Sequence, residues 1–386
     1  MTGQLKNVII VGASCAGMTA AHELASRLPE SYRLIVIEAN HVAFWPIGGL
    51  RASVEPGFED KTIADINPKQ FGGEHITLTG TRVVELKPSS VIVDKVSGLG
   101  HKVDDEHEEI SFEQIILALG STYPFPCRLP SGNKADILAA FQKMQKEIEA
   151  SHDILINGAG AVGVEFAGEV VERYGETKQI TLVNRTDRIA VPKSQEAVSH
   201  RLKQQLAKHP NVTLILQDTL IEEVQTRKLP TTETLHTHGG KVIKADFTLQ
   251  AIGNKPNSDL IKDDAVLDDK RLIRVNQFLQ VTPADQSQTE FDWSRYYAIG
   301  DVSNFSARKT VVAAEPQAKA AAHNVLEAIK GSRNYKQGSQ PPNVIVVPFG
   351  KSAGASYLMF FSLGEWVTSF IKGKTLFVDK FVKMFK

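Results

Sequence analysis

The sequence predicts an α/β chain that carries two βαβ units of one kind, followed by a small C-terminal α+β region. Two observations predict it. The apolar run Val8 to Val11 enters a glycine-rich turn at Gly12, Ser14 and Gly17, leaves through a helix reaching Leu28, and meets a strand, RLIVIE, that ends at Glu38. The run Ile154 to Ile156 enters a turn at Gly158, Gly160 and Gly163, followed by a helix and the strand QITLVN ending at Asn184. Glu38 follows Gly12 at the interval at which Asn184 follows Gly158, so the second unit repeats the first.

The first glycine of such a turn allows the tight bend, the second lets backbone approach a pyrophosphate, and the third lets helix pack on strand. The helix N-terminus adds free N–H groups and a partial positive charge. The first unit has Ser14 at the second glycine position, where its small hydroxyl stands near the pyrophosphate, with Ala13 and Ala16 completing the turn. Both units read as Rossmann-like dinucleotide-binding units, and the carboxylate of Glu38 at the end of the second strand suits ribose hydroxyls.

Composition narrows the function classes. A chain of 386 residues is long enough for two or three domains. Lys plus Arg and Asp plus Glu number 44 each, so no global field draws the chain to nucleic acid, which is not an expected partner. Cys15 and Cys127, the two cysteines, form neither a CxxC nor a CxxxxC pair, and a reducing, cytoplasmic setting fits them. Cys15, placed beside pyrophosphate, reads as a small packing residue, because the phosphates oppose a thiolate there. No signal peptide and no apolar window of about 18 residues occurs, and Thr2 before Gly3 departs from the N-myristoylation pattern. The two histidines of DKVSGLGHKVDDEHEEI lack ligand partners at useful spacing, so no metal site is expected and the segment reads as solvated surface.

Three further segments place the cofactors. FEQIILALGSTYPFP and ADFTLQAIGNKPN each read as a strand ending at a glycine turn, Gly120 and Gly253, where the chain crosses between domains. SRYYAIGDVSNF is a strand ending at Gly300-Asp301, whose carboxylate can hydrogen-bond a polyhydroxyl chain before the helix-like VVAAEPQAKAAAHNVLEAI. In the second unit Asn184 stands where the first has Glu38, and Arg185 follows, so a 2′-phosphate meets a cation instead of a carboxylate. NADPH is therefore favoured, with NADH as a second donor.

The order GxSxxG, Glu38, ALGS turn, GxGxxG, AIG turn, AIGD resembles flavoproteins of glutathione-reductase-like fold with two dinucleotide-binding domains, FAD on the first and NAD(P)H on the second. Among these the sequence is similar to the apoptosis-inducing-factor-like group, which includes mitochondrion-associated ferroptosis suppressors and fungal relatives. LRASVEPGFEDKT, GSTYPFP, GVEFAGEV, RVNQFLQV, YAIGDVSNF and LFVDKF carry the likeness over nearly the whole chain. The resemblance implies that Gly12, Ser14 and Gly17 hold the FAD pyrophosphate, with Ala13, Ala16, Ala118 and Gly120 beside them. It implies Glu38 on the adenosine ribose, Asp301 on the ribityl end, Arg51 on an FAD phosphate or the flavin edge, and an edge strand around Thr81 on adenine. Gly158, Gly160, Gly163 and Gly253 would serve the nicotinamide dinucleotide, with Glu165 near nicotinamide and flavin. Glu315 and Gln317 would line the acceptor's side.

The expected activity is oxidation of NADPH by an FAD enzyme that reduces a quinone-like acceptor or, slowly, oxygen. A low-turnover redox-sensing flavoprotein and a ferredoxin-reductase-like enzyme remain as alternatives. The expected plan is an FAD domain over residues 1–125 and 247–330, an NAD(P) domain over 126–246, and a C-terminal region over 331–386. Its tail has Leu363, Trp366, Val367, Phe370, Ile371, Phe377, Val378, Phe381, Val382 and Phe385 interleaved with Lys372, Lys374, Lys380, Lys383 and Lys386. Such a basic amphipathic stripe is covered either by protein, its own body or a second subunit of a homodimer, or by a membrane interface at mitochondria or elsewhere. Protein cover is the commoner solution.

Overall fold

The computed structural model describes residues 5–129, 133–285, 289, 291–306, 309–339, 344–358 and 361–385; Thr2, Gly3 and Lys386 lie outside them. The helices are α1 (Cys15–Ala25), α2 (Pro46–Ala52), α3 (Lys134–Glu149), α4 (Ala161–Tyr174), α5 (Glu196–Leu206), α6 (Val311–Ile329), α7 (Glu365–Thr368) and α8 (Val378–Met384). The fold is α/β.

A parallel sheet forms in the order Tyr296–Ala298, Gln114–Leu117, Lys6–Val11, Tyr32–Glu38, Ile76–Thr79. Its strands are continuous apolar runs because both faces are covered. Side chains alternate across a strand, so Val8, Ile10, Leu34, Val36 and Ile116 pack toward α1 and α6. Ile9, Val11, Ile35, Ile37, Ile115 and Leu117 pack on the other side with Val91, Phe112 and Trp293. α1 stops at Ala25 instead of reaching Leu28, because Leu28 precedes Pro29, whose ring disfavours helical backbone before it.

The second sheet runs Val212–Leu216, Gln179–Asn184, Asp153–Asn157, Val242–Gln250, Arg227–His236, with only the last strand antiparallel. Ile154, Ile156, Leu182 and Leu249 share a core with α4 and α5. The two glycine crossings meet each other: Ser121–Thr122, just after Gly120, pairs antiparallel with Lys255–Pro256, just after Gly253. Both glycines have positive φ, +69° and +72°, which a side chain rarely adopts.

A three-stranded antiparallel sheet, Val344–Phe349, Ala353–Leu358 and Phe361–Leu363, lies on α4. Val347, Phe349, Ala353 and Ala355 enter the core of the second sheet. The contact depends on Gly168 of α4, where a Cβ would stand 2.5 Å from the nitrogen of Gly350 and 2.6 Å from the Cα of Phe349. Beyond this sheet the apolar tail divides. Leu376, Phe381 and Phe385 are buried, and the Phe381 ring stacks on Trp45 at 5.4 Å, whereas Trp366 and Phe370 are 79% and 74% exposed. Leu363 belongs to a strand and not to the helical stripe.

Gly168→Val should push the C-terminal sheet off α4 and lower stability by about 1–3 kcal/mol, read as a fall in Tm by circular dichroism. An unchanged Tm would mean that the sheet is not held there.

Candidate functional site

Each repeated unit builds the same local device. Gly12 and Gly158 turn with φ of +104° and +113°, and a Cβ at Gly17 or Gly163 would lie 1.8 Å or 1.9 Å from the carbonyl oxygen of its first glycine. The helices can approach their turns only without those side chains. In the first unit Glu38 Oε2 accepts from the N–H of Ala13 at 2.7 Å; in the second Asn184 Oδ1 accepts from the N–H of Ala159 at 3.1 Å. One position in each repeat thus fastens the strand end to the turn, with a charge in the first and without one in the second.

The helix ends behind the turns are left open. Asn133 and Thr310 cap α3 and α6 through side-chain oxygens that accept from the N–H groups of Asp136 and Ala313. Ser14 and Gly160, at the same position of α1 and α4, supply no side-chain cap, and neither first turn contains an acidic residue. Uncapped N–H groups can take an acceptor from outside the chain, and an anion fits. Around Gly160 nothing lies within 4 Å of where a Cβ would stand. The turns therefore fit a pyrophosphate each. The second opens on a cavity of about 1320 Å³ lined by Gly158, Gly160, Asn184, Arg185, Arg188 and Gly253. Arg185 is exposed, and no partner of its guanidinium occurs among the described residues.

Around the first turn several expected residues converge. The carbonyl of Ala118 lies 2.4 Å from a Cβ placed on Gly12, and Ala16 Cβ lies 3.3 Å from one on Gly300. Asp301 Oδ2 accepts from Ser121 Oγ at 2.8 Å and from Arg128 Nη2 at 3.3 Å, which joins the Gly120 crossing to the Gly300 turn. Arg128 escaped the sequence reading because it stands in a proline-rich connection with no motif. Cys15 lies close enough to feel Lys380, Glu315 and Asp301, and burial pushes its thiol up to about 12. Burial does the same to Cys127. Both cysteines are free, and neither is poised as a thiolate.

Two expectations are corrected, and the placement of a third differs. Arg51 does not face a cofactor phosphate: it is fully buried, with Nε and Nη2 on Glu169 at 2.9 Å and 2.8 Å, Nη1 on the carbonyl of Lys374 and Nη2 also on that of Gly373. A guanidinium without water must spend its donors on a counter-charge and carbonyls. Gln317 does not line an acceptor's side: it is buried, and its Oε1 accepts from the N–H of Gly300 at 2.9 Å, so it positions the Asp301 turn. Thr81 lies in the connection between the strands Ile76–Thr79 and Val83–Lys87, and its N–H donates to the carbonyl of Glu38.

Glu165 and Glu315 pair with the C-terminal segment. Glu315 accepts from Lys380 at 2.7 Å, and Lys319 lies at 3.4 Å; the Lys380 bond holds its carboxyl below the usual range. Glu165 accepts from Lys372 Nζ at 2.8 Å, and burial raises its pKa against the pull of that ammonium. Glu169 is raised by burial too, with Arg51 opposing. Two ion pairs thus stand one helical turn apart on α4. Lys372, read from sequence as one tail lysine among five, is held largely buried against Glu165, while the more exposed Lys380 meets Glu315.

The chain is similar to known proteins over nearly its whole length. The model of a family described as pyridine nucleotide-disulphide oxidoreductase matches residues 6–320. Apoptosis-inducing factor homolog B of Dictyostelium discoideum is 27% identical, the match covering 99% of this chain and 97% of that protein. Ferroptosis suppressor protein 1 of Xenopus tropicalis is 27% identical over 97% and 94% of the two chains. Among solved structures, the sulfide:quinone oxidoreductase of Aquifex aeolicus shares the fold with a TM-score of 0.72 at 14% identity, covering 98% of this chain and 91% of that one.

Glu169→Leu should leave the Arg51 charge buried alone and lower the unfolding free energy by about 3–5 kcal/mol in urea titration. Arg51→Met combined with Glu169→Leu should recover most of that loss. Two single losses that simply add would show that the pair does not interact.

Proposed function

The chain belongs to the pyridine nucleotide-disulphide oxidoreductase family, and from that premise we propose that it is an FAD enzyme that oxidises NADPH and reduces a quinone-like acceptor. FAD belongs on the turn braced by Glu38, and the nicotinamide dinucleotide on the turn braced by Asn184. When bound, the flavin supplies the two-electron relay between nicotinamide and acceptor. Over one cycle NADPH gives up a hydride and becomes NADP⁺, and that hydride equivalent together with one proton from water converts the quinone to a hydroquinone.

The observation that carries the choice of donor is the exchange of Glu38 for Asn184 at one structural position. A carboxylate there would repel a 2′-phosphate; the amide does not, and the free guanidinium of Arg185 lines the same cavity. NADH can occupy the site without that contact and is the weaker donor. The acceptor follows from the thiols. The whole chain has two cysteines, both free and both raised by burial, so electrons leave through no dithiol and the acceptor must take them directly. A small planar quinone suits that demand, and an enzyme whose name includes quinone shares this fold.

The chain's own residues do the rest. Asp301, held by Ser121 and Arg128, offers a carboxylate to hydroxyls, and Gln317 fixes its turn. Glu165 and Lys372 hold a proton between Oε1 and Nζ in a buried place beside the second turn, where it can meet a reduced acceptor. The reading puts the enzyme in the cytoplasm against a membrane that carries the quinone; no helix among the described residues is long and apolar enough to cross a bilayer.

The test is anaerobic mixing with NADPH and, separately, NADH, following the visible flavin band before and after a short-chain quinone. Bleaching by NADPH and recovery with quinone are expected, and Arg185→Ala should raise the KM for NADPH by about tenfold, one charge-assisted contact, while leaving NADH unchanged. Bleaching without recovery would overturn the acceptor, and equal effects on both donors would overturn the role of Arg185.

A further inference from the structure

The C-terminal segment carries three exposed aromatic side chains between positions 361 and 370. Phe361, Trp366 and Phe370 are 70%, 79% and 74% exposed, and the Trp366 and Phe370 rings stack at 6.1 Å one helical turn apart. The rest of the tail does not cover them, because Leu376, Phe381 and Phe385 turn inward. Cations border the patch. Arg201 Nε donates to Ser362 Oγ at 3.0 Å beside an open cavity of about 500 Å³ on α5, which Glu196 and His200 also line. Lys208 pairs with Glu365, and Lys374 lies one turn beyond Phe370 with its side chain exposed.

We infer that Phe361, Trp366 and Phe370 insert into the interface of a bilayer containing anionic phospholipid, with Arg201 and Lys374 against its headgroups. The inference rests on the quinone reading only for its purpose, which is to bring a lipid-soluble acceptor to the segment that also supplies Lys372. Aromatic side chains bury about 150–250 Å² each, so three of them exposed to this degree offer roughly 450 Å², against about 800 Å² per partner in a stable dimer. A two-fold pairing of the patch with itself would also bring the same cations to one seam. A bilayer has neither difficulty: it accepts a small aromatic wedge and prefers a cationic rim.

The molecule contains its own reporter. Trp45 and Trp293 are 1% and 5% exposed, so a change in tryptophan emission on adding vesicles reads Trp366. With the full-length FAD-loaded protein, vesicles of phosphatidylcholine and phosphatidylserine should shift the emission to the blue, protect it from iodide and sediment the protein; pure phosphatidylcholine and high salt should weaken all three. Phe361→Ser with Phe370→Ser should weaken vesicle binding by at least about tenfold, the scale of burying apolar side chains at an interface. Turnover with a water-soluble quinone should stay unchanged in that variant, which also shows that it folds. No blue shift, or undiminished binding by the variant, overturns the inference, and so does a dimer in vesicle-free ultracentrifugation that the variant dissolves. Vesicle binding without quinone turnover would leave the patch standing and sink the acceptor; turnover without vesicle binding would do the reverse.

Discussion

The buried ion pair between Arg51 and Glu169 is the constraint on which the rest of the arrangement depends. Arg51 comes from α2, beside the first sheet, Glu169 from α4, behind the second turn, and the carbonyls of Gly373 and Lys374 from the C-terminal segment. A guanidinium with no exposed surface tolerates no slippage among those three, because each lost donor contact leaves desolvated charge. The same geometry brings Lys372 to Glu165, one turn from Glu169 on α4. A pair that looks purely structural therefore fixes where the C-terminal segment meets the second dinucleotide turn.

What the sequence made legible was local or repeated. The glycine spacing shows in advance that Glu38 and Asn184 occupy one position, since a βαβ unit is specified by contacts within about thirty residues. The Gly120 and Gly253 crossings were legible for the same reason, although their pairing with each other was not. Arg51 and Gln317 were misread because their partners are set by tertiary packing: Glu169 lies 118 positions from Arg51, and the backbone N–H bound by Gln317 belongs to a turn that only the folded sheet brings near. Thr81 stands in the connection two residues before the strand Val83–Lys87, a strand boundary that local sequence specifies weakly. The tail lysines look alike in sequence, and only burial separates Lys372 from Lys374, Lys380 and Lys383.

The two turns also show how one scaffold is built with two different braces. Both leave a helix N-terminus uncapped, and both fasten the turn with a side-chain oxygen on the same backbone N–H. The oxygen belongs to a carboxylate in the first unit and to an amide in the second, so the bracing is kept while the charge offered to a ribose changes. In a chain of zero net formal charge such local choices, more than any overall field, set the charge each turn presents.

The measurement that tests this account most directly is the flavin released per chain when the purified protein is denatured, identified as FAD or FMN by chromatography. A single FAD per chain is expected if, as proposed, the Glu38 turn takes a pyrophosphate joined to an adenosine ribose. FMN, or flavin absent even after incubation with excess FAD, would contradict it.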